Sequence, residues 1–100
     1  MLEKDVIRKT LAAAKRLGVP YIRMVFRAGV TSGWPDYLFL VPGGQILFIE
    51  FKATGGKPTP LQEQKIALLK ENGFNVEVCD SPDAAINALR KAVEAARLSA

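Results

Sequence analysis

The sequence predicts an α/β domain in which a mixed four-stranded sheet is flanked by helices in the order αβββαβα, and three observations carry that expectation. Apolar residues recur at helical spacing near both ends of the chain. Pro42-Gly43-Gly44 divides two apolar runs as a hairpin loop would, and a capped helical segment separates the third strand-like run from the fourth. A helix between two strands implies a right-handed parallel crossover, whereas the hairpin makes the earlier pair antiparallel, so the sheet is mixed. One hundred residues is the size of one domain with one core, and residues 1–100 are read as a single unit.

The elements follow in order. Residues 2–17 carry Val6, Ile7, Leu11, Ala14 and Leu17 on one helical stripe, with Gly18 as the stop. At about 100° per residue Glu3 falls in the middle of that stripe, which points an acid inward; interaction with the helix dipole is the plainer account of a first-turn glutamate. Residues 21–28 alternate Ile22, Met24 and Phe26 with Arg23, Val25 and Arg27, as in a strand with one core face and both arginines on the other. Residues 28–35 read as a loop, with Trp34 expected to anchor the core rather than to stack a nucleobase.

Residues 36–41 and 46–52 are the hairpin strands, the second apolar on both faces until its end and therefore central. Thr59-Pro60-Leu61-Gln62 has the pattern of a capping box and opens a helix to about Asn72, stopped by Gly73. A strand at 75–79 follows, and Ser81-Pro82 starts a last helix to about Ala96 with Ala85, Ile86, Leu89 and Val93 inward.

Composition excludes several chemistries. The absence of histidine removes Ser-His-Asp hydrolysis, histidine zinc sites and histidine general bases together. A single cysteine, Cys79, cannot form an internal disulfide and sits in an apolar run, as a small buried thiol would. No apolar run approaches the roughly 20 residues of a membrane span and the N-terminus is not signal-like, so no membrane partner is expected and a place inside a bacterial or host cell is. The net charge is +4, yet residues 1–30 hold seven basic residues against two acids. That asymmetry suits a polyanionic partner as well as it suits a solvated helix face.

One constellation stands out. Gly33-Trp34-Pro35-Asp36 opens the hairpin and Glu50-Phe51-Lys52 closes it. Ionised groups at the end of a buried strand cost several kcal/mol unless a partner or a metal compensates. Glu50 and Lys52 share a face. A three-residue loop would set Asp36 opposite Glu50, and a two-residue loop would set it opposite Phe51, on the wrong face. Two adjacent carboxylates without nitrogen or sulfur ligands suit Mg²⁺ or Mn²⁺. The plain alternative is a surface salt bridge between Glu50 and Lys52.

With Glu3 and Thr59-Pro60-Leu61-Gln62 added, the pattern resembles the PD-(D/E)XK nuclease superfamily and, within it, the virus-type replication-repair nuclease (VRR-NUC) domain, over nearly the whole chain. The resemblance implies a restriction-endonuclease-like core. It implies Asp36 and Glu50 as metal ligands, with the Phe51 carbonyl as a third and Glu3 as the first-helix acid, and Lys52 as the catalytic lysine. Gln62 matches a glutamine that the family places beside the site, although its capping role explains it equally well.

Members made of this domain alone are homodimeric nucleases of four-way (Holliday) junctions, which implies a Mg²⁺- or Mn²⁺-dependent DNA endonuclease acting in DNA repair. A viral or mobile-element origin, with a phage-encoded protein, is suggested by the resemblance alone. Arg23, Arg27, Lys57, Arg8 and Lys15 are the expected phosphate contacts. The alternatives are a noncatalytic module that binds structured DNA on the same fold, and a nuclease of flap or duplex DNA.

Overall fold

A computed structural model describes residues 1–26 and 33–99 of the chain. Its elements are α1 (Glu3–Arg16), β1 (Tyr21–Arg23), β2 (Tyr37–Val41), β3 (Gln45–Phe51), α2 (Pro60–Glu71), β4 (Asn75–Cys79) and α3 (Pro82–Leu98), in the expected order. The strands lie side by side as β1-β2-β3-β4. The first two pairings are antiparallel and the β3–β4 pairing, made across α2, is parallel.

The hairpin resolves the register. Val41 faces Gln45, so Pro42-Gly43-Gly44 is a three-residue loop. Gly43 and Gly44 take φ of +83° and +77°, a region open to glycine at little cost. Pairing runs down the ladder to Tyr37 opposite Ile49, and one step further sets Asp36 level with Glu50.

Alternation along the strands then divides the sheet. Tyr37, Phe39, Val41, Leu47, Ile49 and Phe51 point to one face, where Val6 and Ala14 of α1 and Ala85 and Leu89 of α3 cover them. On the other face Phe48 and Val76 meet Ile66 of α2, with Leu38, Ile46 and Leu69 packed around them. Every residue of β3 from Leu47 to Phe51 is buried, as a central strand requires. Full burial of Phe39, Ile49 and Leu89 contributes about 1.5–3 kcal/mol per side chain.

Three local features depart from the sequence reading. The strand expected over 21–28 stops at Arg23 and all three β1 residues are exposed, because β1 is the sheet edge. Among the described residues, the Met24 N–H, donating to the Asp36 carbonyl at 2.8 Å, carries the pairing one step further. Arg27 and most of the expected loop lie outside the described residues.

In α1 the buried positions are Val6, Thr10, Ala13 and Ala14, and Thr10 satisfies its hydroxyl by donating to the Val6 carbonyl at 2.8 Å. Leu17, at the helix end, is exposed. α3 continues two residues past Ala96. Among the described residues no helix is long and apolar enough to cross a membrane.

Candidate active site

The candidate site lies where β2 begins and β3 ends, on the face that α2 covers. Asp36 immediately precedes β2, while Glu50 and Lys52 project to the same side as Phe48. The approach to Asp36 is set by Gly33, whose φ is +62° and whose added Cβ would lie 2.7 Å from Leu61 Cγ and 3.1 Å from the Leu61 carbonyl oxygen. Only glycine lets this loop lie flat on the start of α2. Pro35 is fully buried, and Trp34 is half-buried with Lys65 Nζ 4.7 Å from its ring centroid. Trp34 therefore meets α2 through Lys65 but belongs to neither core cluster, so it is not the core anchor expected of it.

Glu50 is 6% exposed, and its Oε1 has no hydrogen-bond partner. Burial pushes its carboxyl up to about 7; the Lys52 charge opposes that rise, and the charges of Asp36 and Glu3 add to it. A buried acid left in this condition weakens the fold unless something positive arrives.

Lys52 does not supply the missing partner. Among the described residues the ion pairs are Arg8–Asp5 at 3.6 Å and Arg97–Glu94 at 3.7 Å, so the salt bridge that would have explained Glu50 and Lys52 without chemistry is not formed. Instead Lys52 Nζ donates to Gln62 Oε1 at 2.7 Å. The same oxygen accepts the Thr59 N–H at 2.9 Å, and Thr59 Oγ1 accepts the Gln62 N–H at 3.2 Å. The capping box is complete, and Gln62 occupies both of the positions its sequence context allowed.

The remaining expected residues are placed less centrally. Glu3 is exposed rather than inward, although its azimuth matches the buried stripe of α1; the buried positions of that helix begin only at Val6. Its charge still acts on Glu50 and on Tyr37. No group of three or more acid, cysteine or histidine side chains among the described residues could hold one metal ion. Glu3 is thus not gathered with Asp36 and Glu50 into a three-acid cluster.

Arg23 pairs in register with Tyr37 and its guanidinium lies 5.9 Å from that ring, so it faces α1 and α3 rather than the acids. Lys57 is exposed in the loop before α2, Arg8 is exposed beside Asp5, and Lys15 is exposed in the last turn of α1, at the end away from Glu3.

Two contacts escaped the sequence reading. Asp80 Oδ2 accepts the Gly55 N–H at 3.0 Å, and its carbonyl accepts the Thr54 hydroxyl at 3.3 Å, so the turn between β4 and α3 secures the loop that follows Lys52. Lys65 over Trp34 is the other. Neither leaves a local pattern, since each joins segments far apart in the chain. Cys79 is buried and burial raises its thiol to about 11, which keeps it protonated at neutral pH and leaves it without chemistry.

Chemically, an unpaired buried carboxylate, a second acid level with it and an oriented ammonium form a site for a hard cation beside an anionic substrate. Grooves lie elsewhere, between β4 and α3 and between α1 and α3. A site at an open sheet end suits a long substrate better than a small one.

Comparison with known proteins leads to the same place. The family model described as the VRR-NUC domain matches residues 4–83, a span that takes in Asp36, Glu50, Lys52 and Gln62 and begins just after Glu3. The chain is 39% identical over 85 residues to the "Putative nuclease p44" of Acyrthosiphon pisum secondary endosymbiont phage 1, which covers 83% of this chain and 88% of that relative. It is also similar to a solved structure described as a VRR-NUC domain, with a TM-score of 0.75 and 28% identity over 89% of this chain and 94% of that one. Sheet order, the acids at the strand ends and the extent of the match thus agree that this chain belongs to the VRR-NUC domain family.

Proposed function

We propose that this nuclease-family chain is a divalent-metal-dependent endonuclease that hydrolyses phosphodiester bonds in branched DNA, four-way junctions foremost, and works as a homodimer. The observation that carries the reading is the partnerless Oε1 of buried Glu50, one step along the register from the Tyr37–Ile49 pair and so level with Asp36, which immediately precedes β2. Two carboxylates held together, one of them without a protein donor, are stabilised by a cation more than by any other ligand.

Asp36, Glu50 and the Phe51 carbonyl would hold Mg²⁺ or Mn²⁺, and two carboxylates suffice because Mg²⁺ keeps several of its waters. Such an ion acidifies a bound water and offsets charge in the transition state. Glu3, at the rim, adds negative potential without being a third direct ligand. Lys52, directed by Gln62, brings a positive charge to the attacked phosphate. Lys57, in the loop before α2, and Arg8 are the proposed backbone-phosphate contacts, Arg23 facing α1 and α3 and Lys15 lying at the far end of α1, so the shape of the DNA is read more than its sequence. The phage relative's name supports the nuclease class. Two-fold pairing of so small a domain supplies two sites for the two strands that must be cut.

The deciding experiment incubates the protein with labelled four-way junction, flap, duplex and single strand in Mg²⁺, Mn²⁺ or EDTA. Metal-dependent cleavage confined to the junction is the expected result. Equal cleavage of all four substrates removes the junction preference, and binding without cleavage in either metal identifies a noncatalytic module instead.

A further inference from the structure

We infer that Thr59 is a positioning residue for hydrolysis: as the N-cap of α2 it fixes the carboxamide of Gln62 and, through it, the ammonium of Lys52. The inference rests on the role given to Lys52 above. A carboxamide oxygen has two lone pairs. In Gln62 one accepts the Thr59 N–H at 2.9 Å and the other accepts Lys52 Nζ at 2.7 Å. Both neighbours are donors only, so turning the amide over would set donor against donor, and the cap dictates which end of Gln62 faces the lysine.

The Thr59 hydroxyl locks the same turn by accepting the Gln62 N–H at 3.2 Å. A helix cap needs only Thr59 and Gln62; the lysine contact adds nothing that the cap requires. Its presence converts a device for starting a helix into one that aims a flexible four-carbon side chain.

The backbone offers a way to separate the two bonds. Thr59 has φ of −71°, within the range proline imposes, so Thr59→Pro deletes the N–H and the hydroxyl without demanding a new φ at residue 59. Thr59→Ala deletes the hydroxyl alone, Thr59→Ser keeps both groups, and Gln62→Glu keeps an acceptor for both donors.

Each full-length variant is subjected to metal-free reductive methylation with the rate at every lysine read by peptide mass spectrometry, and to steady-state cleavage of a four-way junction. In the parent chain and in Thr59→Ser, Lys52 reacts several-fold more slowly than exposed Lys57. In Thr59→Pro that protection disappears, and in Thr59→Ala it is partly lost. Cleavage by Thr59→Pro shows kcat lowered about tenfold with KM within about twofold of the parent. The rate at half-buried Lys65, held over the Trp34 ring, stays at its parent value, which reports that the fold is intact.

If Thr59→Pro fails to fold, the contrast between Thr59→Ala and Thr59→Ser, with protection retained in Gln62→Glu, decides the matter. An unchanged Lys52 rate in Thr59→Pro or, in that event, in Thr59→Ala overturns the relay. Lost protection with unchanged kcat overturns its role in hydrolysis. A parent chain that cleaves nothing in either metal refutes the nuclease reading instead, a failure visible in the cleavage arm while the methylation arm still shows the relay.

Discussion

The two faces of the sheet are built from the same two central strands and do opposite things. Toward α1 and α3, Tyr37, Phe39, Val41, Leu47, Ile49 and Phe51 form an unbroken apolar layer, with Phe51 set edge-on against Tyr37 at 5.3 Å between ring centroids. Toward α2 the same strands bury Phe48 and then, one position in register from solvent, turn to Asp36, Glu50 and Lys52. The first face is stable as it stands. The second ends in a carboxylate with an unsatisfied oxygen, so Glu50 is held in place by the core behind it, while Lys52 is held by its bond to Gln62. A strand shared between a finished core and an unfinished polar corner is a rigid support for a site that gains its missing contact only from a ligand.

The largest effect should come from breaking the polar corner. Asp36→Asn is expected to lower junction turnover about a thousandfold, about 4 kcal/mol, while junction affinity in EDTA and the melting temperature stay close to the parent. The charge removed is one that works against ionised Glu50, so no stability should be lost with it. Substantial remaining turnover would remove Asp36 from the site.

Breaking the other face should invert that pattern. Phe39 is fully buried against Tyr21 and Phe51, and Phe39→Ala is expected to cost about 3–5 kcal/mol in denaturant unfolding. A loss below about 1 kcal/mol would mean that this face does not carry the fold.

Acidity sharpens the comparison. Folded Glu50 keeps its proton up to about pH 7, whereas the unfolded chain releases it near the ordinary glutamate value of 4.5, so the folded state binds more protons between those limits. Stability of the metal-free chain should therefore fall as pH rises through that window, by about 1–2 kcal/mol once solvent screening at the sheet end is allowed for. Mg²⁺ should raise the melting temperature more at pH 8 than at pH 5.5, because it competes with the proton for the same oxygens. Thermal melts of the parent and of Glu50→Gln check both points; a parent profile as flat as that of Glu50→Gln would contradict the burial argument.

The smallest expected effect is at the junction of loop and helix. Gly33→Ala places a Cβ against Leu61 at a positive φ and should cost about 1 kcal/mol or slightly more, measurable by urea unfolding. A neutral or stabilising outcome would mean that the loop before Asp36 is not clamped to α2.

Much of this could be read in the chain because it is encoded locally. Helical periodicity, the Pro-Gly-Gly loop and the Thr-Pro-Leu-Gln cap each lie within a few residues, and the seven elements appear in the expected order. The exceptions have physical causes. Residues 21–26 alternate as a covered strand would, but an edge strand has a neighbour on one side only, so Tyr21 and Ile22 stay exposed and the ladder stops at Arg23. Glu3 has the azimuth of the buried stripe, yet periodicity cannot tell that burial along α1 begins only at Val6. Arg23 carries the right charge and lies one step from Asp36, but alternation sends it to the opposite face. Asp80, which holds the loop after Lys52 through Gly55, is separated from its partner by 25 residues and showed no sign of the contact.

Taken alone, the order of residues determined which acids and which lysine terminate the central hairpin, because side-chain alternation and turn chemistry are properties of short segments. Tertiary packing decided the rest: that Asp36 comes level with Glu50, that Glu50 is buried without a partner, and that Lys52 turns to the cap of α2 instead of to its neighbouring acid. Those outcomes depend on where water is excluded and where a helix begins in space, and desolvation and donor geometry exist only once distant segments have met.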